Sequence, residues 1–254
     1  MNLQVLLSVM NLDKKHLGKM NITSKCIVIN QCNIENYEKY KNFEIYSYNE
    51  LGAANSRNKA LKHATEEILL FCDEDVIYNK NYEKIVLEEF KKNPKADLIF
   101  FNFKSPYRKL KQGTKNKRLH FYNVLRYGTY NIAIKKSKIN FEFNNLFGGN
   151  SKYSQGEDTL FIVECLKNKL KLYSSTKTIG TVEHKKSSWF KGYNDKYFFN
   201  QGALLCAINK NFRYFLYIQY LLRYKETFKS IKFAKAFRLM KQGGNDYINS
   251  LLEV

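Results

Sequence analysis

The segment Ile68-Leu69-Leu70-Phe71-Cys72-Asp73-Glu74-Asp75 decides the fold, because an apolar run ends in three consecutive acidic side chains. Such an uninterrupted run is typical of a strand that is buried on both faces of a parallel sheet. Open α/β sheets bind their ligands at the carboxyl ends of these strands. Two carboxylates placed two residues apart, Asp73 and Asp75, can hold Mg²⁺ or Mn²⁺ there and leave positions for diphosphate oxygens. A solvated acidic turn is the alternative for these residues.

Short apolar runs alternate with helix-period segments on both sides of this strand, as in βαβ units of a mainly parallel sheet. We predict strands at residues 3–9, 25–30, 43–46, 67–72 and 97–103. Helices are predicted at residues 54–64 and 82–92, where apolar side chains recur on one face. The predicted architecture is an open α/β sheet.

The second half of the chain continues this pattern after a polar interruption. Residues 104–118 are strongly basic and contain Pro106 and Gly113, which predicts a surface loop. A strand is predicted at residues 130–134 and a helix at residues 158–169. A glycine-containing stretch ends at Gly156, so an acidic pair stands at the start of that helix.

From about residue 195 the chain becomes helical and basic, with aromatic side chains between Lys and Arg. Residues 185–254 contain thirteen Lys or Arg against four Asp or Glu. We therefore predict an α/β domain at residues 1–194 and an amphipathic helical extension at residues 195–254. The aromatic side chains either lie in an anionic membrane surface or pack onto the α/β domain.

The whole chain carries 43 Lys plus Arg against 23 Asp plus Glu, a net charge of +20, which favours partners that carry phosphate. Its late apolar stretch is interrupted by Lys210 and Arg213 before it reaches the length of a membrane span. The amino end lacks the basic region and cleavage site of a signal peptide. We expect a cytoplasmic protein. If it binds a membrane, we expect it to do so as a peripheral protein at the inner face of the plasma membrane.

The segment Gly52-Ala-Ala-Asn-Ser-Arg-Asn-Lys-Ala-Leu61 precedes the acidic strand and opens a helix. The glycine allows a tight turn, and Arg57 and Asn58 lie near the positive helix start, where a phosphate or nucleotide could bind. The alternative is a helix capped by Asn55 or Ser56 with a solvated basic first turn.

Four elements in order resemble the family 2 glycosyltransferases, and the resemblance covers the chain from Leu3 to about Ser188. The elements are the opening strand into Ser8-Val-Met-Asn11, the segment after Gly52, the triplet Asp73-Glu74-Asp75, and Gly156-Glu157-Asp158-Thr-Leu-Phe161. The ordered set is much more specific than any one member. The resemblance implies the GT-A fold and an inverting transfer of sugar from a nucleotide-diphosphate donor, most simply a UDP-sugar.

The resemblance also implies roles for single residues. Asp73 and Asp75 would bind a metal ion, Mn²⁺ or Mg²⁺, and Glu157 and Asp158 would supply the catalytic base, with Asp158 at the acceptor hydroxyl. The implied contacts to the nucleotide sugar come from Ser8, Asn11, Arg57, Asn58 and Glu74. A sugar hydroxyl needs such a base because it is a poor nucleophile until a carboxylate takes its proton. The alternative for the acidic pair is a helix cap without a catalytic role.

Further residues carry weaker assignments. Family members usually have an acidic residue after the second strand, whereas this chain has Asn30 and Gln31, either of which could hydrogen-bond the uracil. His184 stands where family members often place a histidine that completes the metal site, although a lone histidine is more often structural. Trp189, the single tryptophan, could stack on the acceptor sugar or bury its apolar surface.

Two other classes of function compete with this interpretation. A nucleic-acid-binding protein would explain the charge and the aromatic residues, but no RNP-like or helix-turn-helix pattern is present and the acidic triplet would repel that ligand. A catalytically idle adaptor at the membrane surface would not need both Asp75 and Asp158. We therefore expect no nucleic acid partner, and a saccharide or lipid-linked acceptor in cell-surface polysaccharide synthesis such as capsule or lipopolysaccharide.

Overall fold

The computed structural model describes residues 1–183, 190, 192–228 and 231–252. These residues include ten strands, which are β1 (Leu3–Met10), β2 (Lys25–Gln31), β3 (Asn36–Tyr40), β4 (Phe43–Tyr48), β5 (Ile68–Asp73), β6 (Val76–Tyr78), β7 (Leu98–Lys104), β8 (Lys117–Arg118), β9 (Ile132–Lys135) and β10 (Leu172–Val182). Eight α-helices in the described residues are α1 (Lys14–Leu17), α2 (Ala53–His63), α3 (Tyr82–Lys92), α4 (Phe121–Val124), α5 (Glu157–Lys167), α6 (Asp195–Ile208), α7 (Arg213–Arg223) and α8 (Phe233–Ser250).

The strands form one sheet in the order β3-β4-β2-β1-β5-β9-β7-β10-β6, with β8 paired to β10. Strands β4, β2, β1 and β5 pair in parallel, and β7 pairs in parallel with β10. Strand β9 runs antiparallel between β5 and β7, so both of its neighbours share one direction. The prediction of a mainly parallel open α/β sheet with a C-terminal helical region is confirmed.

Both faces of the sheet are covered, which explains why its central strands read as continuous apolar runs. Along β1, Val5 and Leu7 point into a core shared with Val86 and Phe90 of α3. The residue between them, Leu6, points into the opposite core with residues of α2 and α5. The two cores hold the carboxyl edge of the parallel strands in place, where the acidic residues lie.

The predicted elements agree with the structure to within about two residues for most strands and helices. Four strands were missed: β6 and β8, which are only three and two residues long, and β3 and β10, whose composition is polar. Strand β3 is an exposed edge strand of sequence NYEKY, and β10 contains the polar run SSTKT. The missed β10 is the parallel partner of β7 and completes that half of the sheet.

The C-terminal helices pack on each other and on the α/β part of the chain. Gly202 of α6 and Gly243 of α8 allow the two helices to approach closely, since a Cβ at either residue would meet the backbone of Met240 or Phe199. Residues of α6 and α8 share a core with the segment before α5; this core contains Phe147, Tyr153, Leu160, Ala203, Leu204, Cys206 and Tyr247. Among the described residues no helix is long and apolar enough to cross a membrane.

Candidate active site

Arg57 connects the two acidic motifs of the chain. Its guanidinium Nη2 lies 2.9 Å from Asp73 Oδ1, at the end of β5. Its Nη1 lies 3.1 Å from Glu157 Oε1 and 3.4 Å from Asp158 Oδ1, at the start of α5. Arg57 itself is buried, at 6% exposure. A single cation thus holds together carboxylates that are more than eighty residues apart in the sequence.

Arg57 and Glu157 differ in whether their charge can change near neutral pH. Burial lowers the pKa of Arg57, but Asp73, Asp158 and Glu157 together outweigh burial and raise it above its ordinary value. Burial, followed by the charge of Asp158, raises the pKa of Glu157 to about 7 even though Arg57 acts in the opposite direction. Arg57 is therefore a permanent cation, whereas Glu157 can gain or lose a proton near neutral pH.

Asp158 is fixed by its own set of donors. The backbone N–H of Thr129 donates to Asp158 Oδ2 at 3.2 Å, and the Thr129 hydroxyl donates to Oδ1. The Asp158 side chain keeps 31% of its surface exposed, against 14% for Glu157. Asp158 is thus the member of the pair that can reach a bound molecule.

The turn before α5 depends on Gly156, whose backbone is in the left-handed region with φ at 106°. A Cβ at this position would also lie 2.7 Å from Leu204 Cδ1 of α6. Helix α5 begins immediately afterwards, so its first turn carries Glu157 and Asp158. The observed helix begins one residue before the predicted one.

The segment before Gly156 is held by the C-terminal helices through polar contacts. Gln155 Nε2 donates to Gln201 Oε1 at 3.0 Å, and the Tyr153 hydroxyl donates to Asp246 Oδ2 at 2.6 Å. Lys152 Nζ lies 2.9 Å from the same Asp246 oxygen. Helices α6 and α8 therefore support the segment that leads to the acidic pair.

The strand ends of β1 and β5 form the opposite side of the site. Ser8 is the register partner of Asp73, and its buried hydroxyl has no hydrogen-bond partner among the described residues. Asn11 is exposed just after β1 with φ at 49°, a conformation that asparagine tolerates better than most residues. Glu74 is exposed and accepts a hydrogen bond from the backbone of Met10 at 3.3 Å. A polar ligand could satisfy the Ser8 hydroxyl.

The predicted metal ligands at this edge supply oxygen donors of the type that Mg²⁺ and Mn²⁺ prefer. Arg57 uses Asp73 Oδ1, which leaves Oδ2 for a ligand. Both carboxylate oxygens of Asp75 are shielded from solvent. Within the described residues, no group of three or more His, Cys, Asp or Glu could hold a metal ion. Two carboxylates by themselves leave most coordination positions of such a cation to other ligands.

Two predicted nucleotide-binding residues make contacts within the protein. Asn30 accepts from the backbone N–H of Leu12 at 2.9 Å and donates to the Ser47 hydroxyl at 3.0 Å. Asn58 donates to the carbonyl of Phe143 at 2.9 Å and accepts from its N–H at 2.7 Å. Both asparagines are buried, so they stabilise the loops around the site.

Sequence reasoning missed Thr129, because no motif connects it to Asp158. It also missed Tyr130, whose pKa rises to about 12 through burial, opposed by Arg108 and increased by Asp73, Asp158 and Asp75. Tyr130 is therefore a neighbour of the acidic cluster. The predicted metal ligand His184 and the predicted acceptor contact Trp189 lie outside the described residues.

Comparison with known proteins identifies the family and the fold. Residues 29–155, half of the chain, match Glycosyl transferase family 2. No curated protein matches the sequence. Residues 1–349 of S. aureus TarS in complex with UDP-GlcNAc superpose with a TM-score of 0.66 at 13% identity, covering 98% of this chain and 92% of that one.

The mannosyltransferase PcManGT from Pyrobaculum calidifontis, in complex with GDP-Man and Mn²⁺, gives a TM-score of 0.55 at 12% identity over 95% of this chain and 73% of that chain. A longer S. aureus TarS structure gives a TM-score of 0.60 at 15% identity over 81% of this chain, and the match spans 39% of the TarS chain. At these identities the likeness concerns the fold.

Proposed function

The chain belongs to glycosyl transferase family 2, and on this premise we propose that it is an inverting hexosyltransferase that uses a nucleotide-diphosphate sugar. The proposal rests mainly on the contacts of Arg57, which holds Asp73 at 2.9 Å and Glu157 at 3.1 Å. A motif suited to a metal-diphosphate group and a motif suited to a base thus share one site. Two such motifs on unrelated parts of the surface would not support this chemistry.

Asp158 is the proposed general base. It takes the proton of the acceptor hydroxyl as that oxygen attacks the anomeric carbon opposite the leaving diphosphate, so the anomeric configuration inverts. The two hydrogen bonds from Thr129 support this role because they fix the carboxylate in position. Glu157 is proposed to assist by positioning Arg57 and by setting the charge around Asp158.

Asp73 and Asp75 are proposed to hold a divalent cation, with His184 as a predicted further ligand. Bound Mn²⁺ or Mg²⁺ supplies positive charge against the departing diphosphate. Arg57 contributes a permanent cation on the same side, since its pKa is raised by the surrounding carboxylates after burial has lowered it. The Mn²⁺ of PcManGT supports a metal in this fold.

The nucleotide is proposed to lie along the carboxyl ends of β1 and β5. The unpartnered Ser8 hydroxyl and the exposed side chains of Asn11 and Glu74 are the proposed direct contacts. Asn30 and Asn58 are proposed to act through the loops that they hold. A UDP-sugar is the proposed donor, and the UDP-GlcNAc complex of TarS supports that choice.

The acceptor is proposed to be a saccharide or a lipid-linked saccharide of a cell-surface polysaccharide, such as capsule or lipopolysaccharide. Trp189 is a predicted contact to the acceptor sugar. Residues 1–194 are the proposed catalytic domain, and residues 195–254 the proposed extension that supports it. We place the enzyme in the cytoplasm, with an anionic membrane surface as partner.

A panel of UDP- and GDP-sugars with Mn²⁺ tests this function through release of the nucleoside diphosphate. We expect release from one or a few UDP-sugars, slow with water as acceptor and faster with a suitable saccharide. Absence of release from every donor, together with no binding of UDP in the presence of Mn²⁺, would refute the proposal.

A further inference from the structure

Helix α7 carries two apolar stripes on neighbouring faces, and only one of them is covered. Tyr217 and Leu221 are buried against α6 and α8. On the neighbouring face Phe215 is 66% exposed, Ile218 42% and Leu222 57%, at spacings that align them along the helix. A surface helix with only an inward stripe would expose polar residues there, so the outer stripe needs a separate explanation.

The exposed stripe continues onto a distant part of the chain. Phe212 extends it at the start of α7, with 64% exposure, and Tyr122 of α4 is 81% exposed. A pocket of about 280 Å³ joins the two helices and is lined by Phe121, Ile208, Asn209, Phe212, Phe215 and Leu216. We call the set Phe121, Tyr122, Phe212, Phe215, Ile218 and Leu222 the aromatic face.

Charge indicates what covers the aromatic face. Neither residues 105–141, which contain α4, nor residues 196–225, which contain α7, include a single Asp or Glu. Exposed cations such as Arg126, Arg223 and Lys225 lie on the same segments. A second copy of this chain would bring the same positive charge and would be repelled, whereas anionic lipid headgroups would be attracted.

We propose that the aromatic face inserts into the interface of an anionic bilayer, with the neighbouring Lys and Arg at the headgroups. Aromatic and aliphatic side chains among cations are the composition of helices that lie in a membrane surface. The inference rests on the proposed function, since Thr129, which holds Asp158, follows the end of α4 by five residues. Docking by this face would bring the base toward a lipid-linked acceptor.

The assignment differs from what the sequence of the tail alone indicated. Tyr217 and Phe228 belong to the predicted extension at residues 195–254, but both are buried in the core of the helical region. Phe121 and Tyr122 lie outside that extension, and the fold brings α4 beside the start of α7.

Sedimentation with vesicles tests the proposal. The protein is mixed with vesicles of phosphatidylcholine alone or of phosphatidylcholine with phosphatidylglycerol, and the partition coefficient is measured for wild type and Phe215→Ser. Ile34→Ser is the matched control, because Ile34 is 62% exposed near the far edge of the sheet. Unchanged thermal unfolding of both variants shows that they fold.

We expect wild type to prefer the anionic vesicles, Phe215→Ser to bind roughly tenfold less tightly, and Ile34→Ser to bind like wild type. Added salt should weaken binding. Failure of wild type to bind anionic vesicles, or equal binding by Phe215→Ser, would overturn the proposal. A lipid-free dimer that Phe215→Ser abolishes would overturn it too, because a second copy would then cover the face.

Donor hydrolysis in lipid-free solution separates this proposal from the proposed function. Phe215→Ser should keep the wild-type rate of nucleoside diphosphate release, since Phe215 is not part of the acidic site. Vesicle binding without any donor hydrolysis in wild type would contradict the enzyme function and leave the membrane surface supported. Donor hydrolysis without vesicle binding would support the enzyme function and contradict the proposed membrane surface.

Discussion

Replacing Arg57 with alanine removes the cation that three carboxylates share. The guanidinium lies 2.9 Å from Asp73 Oδ1, 3.1 Å from Glu157 Oε1 and 3.4 Å from Asp158 Oδ1. Without it, like charges face each other across the site, and they are only partly solvated. We expect both the stability of the protein and the arrangement of its base to suffer.

The magnitude follows from the burial of the four side chains. Removing one partner of a fully buried ion pair costs about 3 to 5 kcal/mol. The exposed fractions of Asp73 and Asp158, 29% and 31%, reduce this cost, and Glu157 can take up a proton because its pKa is raised. We therefore expect a loss near the low end, about 3 kcal/mol, which lowers Tm by roughly 6 to 12 °C in a domain of this size.

Thermal unfolding of Arg57→Ala and nucleoside diphosphate release by the same variant measure the two effects. Lys62→Ala is the control on the same helix, since its exposed ion pair with Glu142 at 3.4 Å should contribute less than about 1 kcal/mol. Adding Glu157→Gln to Arg57→Ala should recover part of the lost stability, because one carboxylate is removed. An Arg57→Ala protein with the Tm and turnover of wild type would refute the proposed role of Arg57 as the connecting cation.

Three further predictions concern the metal, the pH response and the turn before α5. EDTA should abolish release of nucleoside diphosphate and Mn²⁺ or Mg²⁺ should restore it, with Asp75→Asn needing about tenfold more metal; full activity in EDTA would mean a metal-independent mechanism. Because the pKa of Glu157 is raised from 4.5 to about 7 in the folded protein, its protonated form stabilises the fold at low pH, and that contribution is lost as the pH rises through 7. Glutamine at position 157 cannot titrate, so the Tm of Glu157→Gln should exceed that of wild type by a margin that grows as the pH rises from 4.5 to about 7. A margin that stays constant over this range would contradict the assignment. Gly156→Ala should lower the free energy of unfolding by about 1 to 3 kcal/mol. Gly192→Ala should lower it less, because Gly192 also has a positive φ, 91°, but no atom lies within 4 Å of the added Cβ. Equal losses of stability in thermal unfolding would exclude a role for the Leu204 contact.

The strands that carry the site could be predicted from sequence because they are apolar on both faces. The apolar run at 68–72 and the carboxylate positions after it follow from composition and strand geometry alone. Strand β10 was not predicted, since it contains a polar run in which Ser174 and Ser175 are buried and Thr176 and Lys177 are exposed. Its position depends on pairing with β7, which is a tertiary contact.

The site itself was only partly predictable. The ordered motifs indicated that Arg57, Asp73 and Asp158 belong together, and the ion pairs bring them together. The contact of Thr129 with Asp158 could not be predicted, because it depends on where a turn of the chain lies against α5. Asn58 matched its motif, yet both ends of its amide bind the backbone of Phe143. A motif fixes the residue type, whereas the fold decides which partner the side chain meets.

The most direct test of the account is the turnover of Asp158→Asn with the best donor and acceptor, measured beside its donor affinity. Asparagine keeps the shape of the side chain and can still accept a hydrogen bond from Thr129, but it cannot take a proton from a hydroxyl. We predict that turnover falls by about 100-fold or more while the Kd for donor stays within about twofold of wild type. Turnover near that of wild type would contradict the account, because the residue held by Thr129 and Arg57 would then not be the base.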